Sequence, residues 1–287
     1  MTVLQTEAHG KLNLTLDIVG KRADGYHDLA MVMTSVSLSD TVRITLGTGK
    51  PWRVISDCGD IPQDEGNLCW KAARLYFDAA LLDPQGLCIR LTKRIPSQAG
   101  MAGGSSDAAA VLRLLNGHYN ALTEPMLYRI ALSVGSDVPY CLFGGTALAE
   151  GRGELLTRLP DLPETLCYVL VKPDFSVSTP ALFRAIDASG VQRKPDNPAM
   201  IAAIEAGDLA AVGKLLENVF VPEIVRDHPI VEEIRRQLLF CGAAGAGLTG
   251  TGSVVFGIFG SDAAAGAAAE ALKDRYPLVL TAKGVPA

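Results

Sequence analysis

Apolar and polar positions change period several times along the chain. Residues 2–19 alternate loosely, most clearly over Lys-Leu-Asn-Leu-Thr-Leu-Asp-Ile-Val at 11–19, which predicts one or two half-buried strands. A polar, glycine-containing loop follows at 20–27, then strand candidates at 31–37 and 40–46, and a strand with a turn within 51–62. The period then lengthens. Leu68, Ala72, Leu75 and Ala79 recur at helical spacing with charges between them, predicting a helix over 67–82. Residues 86–93 predict a strand, 95–106 a glycine-rich loop, and the Ala/Leu-rich segment to about 120 a strong helix. Another helix is expected at 123–134 with Thr123 as N-cap. Residues 140–150 read as strand, Gly-Gly turn, strand.

Past residue 160 the pattern restarts. A buried strand at 166–172 precedes helices at 179–188, 199–205, 209–218 and 229–241. A glycine-rich turn and β-branched strand span 248–259, an Ala-rich helix 261–275, and a last strand 278–283. Both halves mix strands and helices with no repeated βαβ unit. The expected class is therefore α+β in two lobes, 1–158 and 159–287.

Composition narrows the function classes. A chain of 287 residues suits about two domains, and 48% apolar with 20% charged residues is ordinary for a folded globular protein. The balance of 26 Lys and Arg against 31 Asp and Glu, with no basic run, disfavours nucleic acid as a partner. The six cysteines are scattered singly, which argues against zinc and redox motifs and for reduced thiols. The first ten residues show no signal or transit pattern, and the longest uncharged stretch, 241–261, is rich in glycine and small residues. A cytoplasmic protein without a membrane span is the expectation.

The most informative stretch is Lys-Arg-Ile-Pro-Ser-Gln-Ala-Gly-Met-Ala-Gly-Gly-Ser-Ser-Asp at 93–107. Gly100, Gly103 and Gly104 precede Ser105 and Ser106 at the start of a helix. Glycine lets backbone approach an anion closely, and a helix N-terminus offers N–H groups and the positive end of its dipole. Together they suit a phosphate. The stretch lacks the Gly-Lys-Ser/Thr ending of a P-loop and does not match Gly-x-Gly-x-x-Gly. The plainer alternative is a tight loop capped by serine.

Phosphoryl transfer to an alcohol needs phosphate positioning, charge neutralisation and an acceptor for the hydroxyl proton. Lys11 sits in an apolar strand, where a lysine is poorly placed unless it meets an anion, or else snorkels from a sheet edge. Asp137, in Gly-Ser-Asp-Val-Pro before an apolar segment read as a strand, can accept a proton or simply bond its own turn. Tyr26 and His27 form a loop that can stack on and hydrogen-bond a base, or be a surface turn. Gly250, Thr251 and Gly252 lie in a second glycine-rich turn, Gly-Leu-Thr-Gly-Thr-Gly-Ser at 247–253. It can close over phosphates or serve only as a connection. Phe183 stands at helical spacing more typical of core.

Three separated segments resemble the signature segments of the galactokinase, homoserine kinase, mevalonate kinase and phosphomevalonate kinase superfamily. They are Lys-Leu-Asn-Leu at 11–14, Ile-Pro-Ser-Gln-Ala-Gly-Met-Ala-Gly-Gly-Ser-Ser-Asp at 95–107, and Leu-Thr-Gly-Thr-Gly-Ser at 248–253. With Gly-Lys-Arg-Ala-Asp-Gly-Tyr-His at 20–27 and Gly-Ser-Asp-Val-Pro at 135–139, the chain resembles the branch acting on a cytidine diphosphate-linked methylerythritol. The likeness covers residues 7–260. It implies a two-lobed α+β kinase with its active site in the cleft between the lobes, using ATP and Mg²⁺ to phosphorylate the 2-hydroxyl of that small-molecule substrate in non-mevalonate isoprenoid biosynthesis. By matching position, Asp137 would be the base and Lys11 would orient and ionise it. Asn13, Tyr26 and His27 would hold the cytidine diphosphate end, Phe183 would cover the cytosine, and Gly250, Thr251 and Gly252 would line the substrate side. Pro96, Gly100, Gly103, Gly104, Ser105 and Ser106 would cradle the ATP phosphates, with Asn67 and Lys93 near the nucleotide. No metal ligand is assigned, so the ion would be held by phosphates and waters. The implied assembly is a monomer or weak homodimer. Two positions depart from the pattern: His9 precedes Gly-Lys, and Asn218-Val-Phe-Val221 lacks an expected acid. The competing readings are another small-alcohol kinase of homoserine or mevalonate type, the related diphosphate decarboxylase, and a non-catalytic sensor. The Asp-Gly-Tyr-His loop argues against the first two, and the presence of Lys11 and Asp137 against the third.

Overall fold

The alternation over 2–19 becomes two strands, β1 (Thr2–Asn13) and β2 (Thr15–Lys21), in a computed structural model that describes residues 1–59, 61–163, 165–191 and 193–286. The next two predicted strands are one, β3 (His27–Leu46). Its polar middle does not interrupt it because the polar groups have partners: Ser39 Oγ donates to Glu7 at 2.8 Å, and buried Asp40 accepts from the Arg94 and Ile95 amides.

The described chain forms two compact units, neither of them a single run of sequence. The first comprises Met1–Gly10, Ser39–Ile95 and Ala102–Phe143; the second comprises Lys11–Leu38, Pro96–Met101 and the chain from Gly144 on. The expected 158/159 boundary falls within the second unit.

In the first unit the later part of β3 pairs antiparallel with β5 (Leu87–Thr92), from Thr41↔Thr92 to Leu46↔Leu87, and β4 (Arg53–Ser56) lies parallel to β5. Helices α1 (Leu68–Ala80), α2 (Gly103–Tyr119), α3 (Glu124–Val134) and α4 (Val138–Phe143) pack together. Their core includes fully buried Tyr76, edge-on to Phe77 at 5.7 Å. Thr123 occupies the N-cap position of α3 without a side-chain cap bond. Two sequence expectations change here. Gly103 to Ser106 belong to the first turn of α2 rather than to a loop, and residues 138–143 are helical rather than a strand. A short apolar run does not distinguish the two states, and Pro139 suits the first turn of a helix. The Gly144-Gly145 turn, both at positive φ, then leads into β6 (Thr146–Gly151) as expected.

In the second unit the early part of β3 pairs antiparallel with β2 and β6, and β6 with β7 (Leu155–Arg158). A separate antiparallel sheet has the order β10 (Gly245–Leu248), β11 (Val255–Phe259), β8 (Cys167–Lys172), β12 (Leu278–Lys283). All five residues of β11 are buried. Phe256 meets Tyr168 edge-on at 6.2 Å, a ring whose burial contributes about 1.5–3 kcal/mol. Around these sheets lie α5 (Thr179–Ser189), α6 (Asn197–Glu205), α7 (Leu209–Lys214), α8 (Val221–Asp227), α9 (Ile230–Phe240) and α10 (Asp262–Leu272). The helix expected over 209–218 stops at Lys214 because Glu217 and Asn218 form β9, parallel to β2. Helix α8, which begins at Val221 with Pro222 in its first turn, is not among the expected helices. Among the described residues no helix is long and apolar enough to cross a membrane.

Candidate active site

Lys11 and Asn13 lie two apart near the end of β1, so they share a face. Both are buried, at 4% and 2% exposure, which excludes the snorkelling alternative for Lys11. A buried ammonium needs acceptors. Lys11 Nζ donates to Asn13 Oδ1 at 2.6 Å and to the Gly100 carbonyl at 2.5 Å. Asn13 Oδ1 also accepts from the Gly250 amide at 2.9 Å. Thr249 completes the knot: its hydroxyl accepts from Asn13 N–H at 3.2 Å and donates to the Gly100 carbonyl at 3.0 Å.

Only glycine fits at position 100. Its φ is +72°, and a Cβ there would stand 2.1 Å from the Thr249 carbonyl oxygen. The Ser253 and Val254 amides donate to the Gln98 and Ala99 carbonyls, extending the seam. Segments 11–14, 96–101 and 247–253, quoted separately from the sequence, are thus one hydrogen-bonded constellation. Asn218, three residues before Val221 where an acid is expected, braces it. Its Nδ2 donates to the Leu248 and Gly250 carbonyls at 2.9 and 2.8 Å, and its Oδ1 accepts from Phe220 N–H. Neither Thr249 nor Asn218 was assigned a role from sequence. Thr249 was legible as part of the Leu-Thr-Gly-Thr-Gly-Ser turn, and Asn218 only as the first residue of an incomplete pattern.

The base-binding candidates also come together in the second unit. The His27 ring stacks on Phe183 at 4.8 Å and 21°, and Phe183 meets buried Phe220 edge-on at 5.0 Å. Phe183 is therefore not simply core. Tyr26 is half-exposed, with the Arg152 guanidinium 4.0 Å from its ring centroid, a cation–π contact. Thr251 shares a 2.9 Å hydroxyl hydrogen bond with Thr179, the first residue of α5, tying the 247–253 turn to the helix that carries Phe183. Gly252 is buried, and Gly250 is at positive φ. Pro96, partly exposed, opens the 96–101 segment.

In the first unit, α2 begins at Gly103 after Ala102, which adopts φ +59° and makes no side-chain cap bond. The first-turn amides are therefore left without the usual serine or aspartate acceptor, the condition for anion binding. Gly104 is exposed, and Gly103 and Ser105 partly so. Ser106 is different. It is buried and its hydroxyl donates to the His9 carbonyl at 2.5 Å, which ties the start of α2 to β1. Asn67 is likewise committed: it caps α1 by accepting from Cys69 N–H at 2.8 Å and donates to Pro62 at 2.6 Å. Lys93 Nζ binds Asp40 and Asp107 in a buried cluster under the first turn of α2. All three side chains thus have partners within the first unit around the start of α2 and α1. In that cluster one cation faces two carboxylates. Burial pushes the Asp107 carboxyl up to about 7, against the pull of Lys93, while the two carboxylates hold Lys93 above its ordinary range despite its burial.

Asp137 immediately precedes α4, not a strand, and its carbonyl accepts from Cys141 N–H. It is partly exposed. The segment adjoins the cradle, since a Cβ on Gly135 would lie 4.0 Å from Ser105 Oγ.

Comparison with known proteins gives the family. Residues 67–145 match the GHMP kinases N terminal domain and residues 200–278 the GHMP kinases C terminal domain. The 4-diphosphocytidyl-2-C-methyl-D-erythritol kinase of Alkaliphilus metalliredigens is 37% identical over 277 residues, covering 96% of this chain and 94% of that protein. The protein of the same name from Lachnospira eligens is 41% identical over 262 residues, 90% of each chain. A crystal structure of a 4-(cytidine 5'-diphospho)-2C-methyl-D-erythritol kinase superposes with a TM-score of 0.81 at 32% identity, covering 98% of this chain and 100% of that one. A homoserine kinase from Cytophaga hutchinsonii shares the fold at a TM-score of 0.78 and 20% identity. The chain belongs to the GHMP kinases and, among them, to the 4-diphosphocytidyl-2-C-methyl-D-erythritol kinase family.

Proposed function

We propose that this protein transfers the γ-phosphoryl group of ATP to the 2-hydroxyl of 4-diphosphocytidyl-2-C-methyl-D-erythritol. The observation that carries the kinase reading is the constellation of Lys11, Asn13, Gly100, Thr249 and Gly250, formed by the three segments that resemble the superfamily signatures, and the stacking of His27 on Phe183 supports the cytidyl substrate. Homoserine and mevalonate kinases match only at 20% identity or below, so the cytidyl substrate is favoured over theirs.

The residues divide the work. The uncapped first turn of α2, at Gly103, Gly104 and Ser105, receives phosphate oxygens on backbone N–H groups. Lys11, held rigidly by Asn13 and Gly100, supplies fixed positive charge where the alkoxide and transferring phosphoryl develop negative charge. Asp137 takes the hydroxyl proton. His27, Tyr26 and Phe183 hold the cytidine end, and that remote binding energy positions the hydroxyl for attack. Mg²⁺ would enter with the ATP phosphates and neutralise their charge there. The cysteines are thiols, as in a reducing cytosol, where we place the enzyme as a monomer or weak homodimer.

The test is product identification by ³¹P NMR with ATP, Mg²⁺ and the cytidyl substrate, for wild type and Asp137→Asn. The reading predicts a new phosphate monoester from wild type and at least a 100-fold lower kcat in the variant. A variant with wild-type kcat would remove Asp137 from the chemistry.

A further inference from the structure

Helix α5 reaches His27 with two side chains. Phe183 and Asp187 are four residues apart, one turn, and so share a face. Phe183 lies flat on the imidazole, while Asp187 Oδ1 stands 2.8 Å from His27 Nε2. The other carboxylate oxygen accepts from Lys21 Nζ at 2.6 Å. Lys21 is directly opposite His27 in the β2–β3 pairing, so the two side chains rise from the same face. One carboxylate thus lies between an ammonium and an imidazole, at a residue outside every motif read from the sequence.

The chemistry of this arrangement is directional. The hydrogen bonds from Lys21 and His27 hold the Asp187 carboxyl below its ordinary range. An ionised carboxylate only accepts, so the proton of the 2.8 Å bond sits on Nε2. In a neutral imidazole with Nε2–H, Nδ1 is an acceptor.

We propose that Asp187 is a positioning residue for the base end of the substrate, fixing His27 as the Nε2–H tautomer flat against Phe183 so that the base meets an acceptor at Nδ1. The inference rests on the cytidyl-substrate reading above and deepens it. An acceptor pairs with an amino group, as on cytosine, and opposes the carbonyl found there on uracil. Lys21 balances the charge of Asp187. Asp187 therefore contributes to discrimination between the two bases without touching either.

The experiment compares wild type with D187N, a near-isosteric change at a half-exposed side chain. Steady-state kinetics use the cytidine- and uridine-diphosphate forms of the substrate, and ¹⁵N NMR at pH 8 reports the His27 tautomer. The expected result is an approximately tenfold higher KM for the cytidyl substrate in D187N, with kcat within about twofold. Preference for cytidyl over uridyl in kcat/KM should shrink by about the same factor. The Nε2–H signature of wild type should give way to a mixture, with the urea midpoint unchanged. Unchanged KM and preference would overturn the proposal, as would a doubly protonated or Nδ1–H His27 in wild type. A fall in kcat at constant KM would also overturn it, because it would place Asp187 at the reacting end. Failure of wild type to turn over the cytidyl substrate would instead refute the functional reading, and the tautomer measurement would still decide the role of Asp187.

Discussion

Replacing Gly100 with alanine probes the centre of the constellation. The residue sits at φ +72°, a conformation that costs a residue with a Cβ about 1–2 kcal/mol. The added methyl would stand 2.1 Å from the Thr249 carbonyl oxygen, 2.9 Å from its carbon and 3.1 Å from the Gly252 amide. All three are backbone atoms, so the clash cannot be relieved by a rotamer change, and forcing the segments apart costs about another 1–3 kcal/mol. The shift also withdraws the Gly100 carbonyl from Lys11 and Thr249, leaving buried donors unpaired at about 1–3 kcal/mol. The expected destabilisation is about 3–8 kcal/mol, accompanied by loss of turnover because Lys11 loses an anchor. Gly117 is the matched control. It is an exposed position inside α2 with nothing within 4 Å of its Cβ, so Gly117→Ala should stabilise by about 0.5–1 kcal/mol. Urea unfolding followed by tryptophan fluorescence, beside ADP-release kinetics, reads both variants. A Gly100→Ala protein with wild-type midpoint and kcat would refute the seam as the support of Lys11.

Other consequences follow from the supports. The Asp107 carboxyl, raised to about 7, keeps its proton in the folded state at pH values where the unfolded chain has already lost it. Wild-type stability from this group therefore falls as pH rises from about 4 through about 7, and Asp107→Asn should flatten that slope. Urea midpoints at pH 5 and pH 8 test this, and an unchanged slope in the variant would reject Asp107 as its source. Lys93→Met leaves Asp40 and Asp107 buried without their cation, so it should destabilise by about 3–5 kcal/mol, and by less in the Asp107→Asn background; equal losses in both backgrounds would show the cluster is not coupled. Asn218→Ala orphans two carbonyls and one amide beneath the 247–253 turn, with an expected loss of about 2–4 kcal/mol in thermal or urea unfolding. A midpoint at the wild-type value would show that water replaces the amide.

Much of this was legible in the chain because local physics set it. Helical spacing over 67–82 and the alternation over 11–19 each produced the expected element. Legibility failed where local patterns are ambiguous. Val-Pro-Tyr-Cys-Leu-Phe at 138–143 is apolar enough for a strand and short enough for either state, and packing on α2 decides for helix. Asn218 leaves α7 because its amide is needed under Leu248 and Gly250, a demand invisible at its own position.

The site divided in the same way. The motifs named Lys11, Asn13, Gly100 and Gly250 without showing that they meet, since hydrogen bonds spanning 89 and 237 positions leave no local periodicity. Motif membership likewise did not show that Asn67, Lys93 and Ser106 bond to Cys69, to Asp40 and Asp107, and to His9. Asp187 lies outside every motif and became visible only through its place between Lys21 and His27.

The central claim is the identity of the phosphoryl acceptor, and a coupled ADP-release assay tests it most directly. Purified protein with ATP and Mg²⁺ is given 4-diphosphocytidyl-2-C-methyl-D-erythritol, homoserine, mevalonate or galactose in parallel. The account predicts ADP release with the cytidyl substrate alone. Release with another of these alcohols and none with the cytidyl compound would contradict it, leaving the kinase chemistry of Lys11 and Asp137 but removing the His27–Phe183 base site.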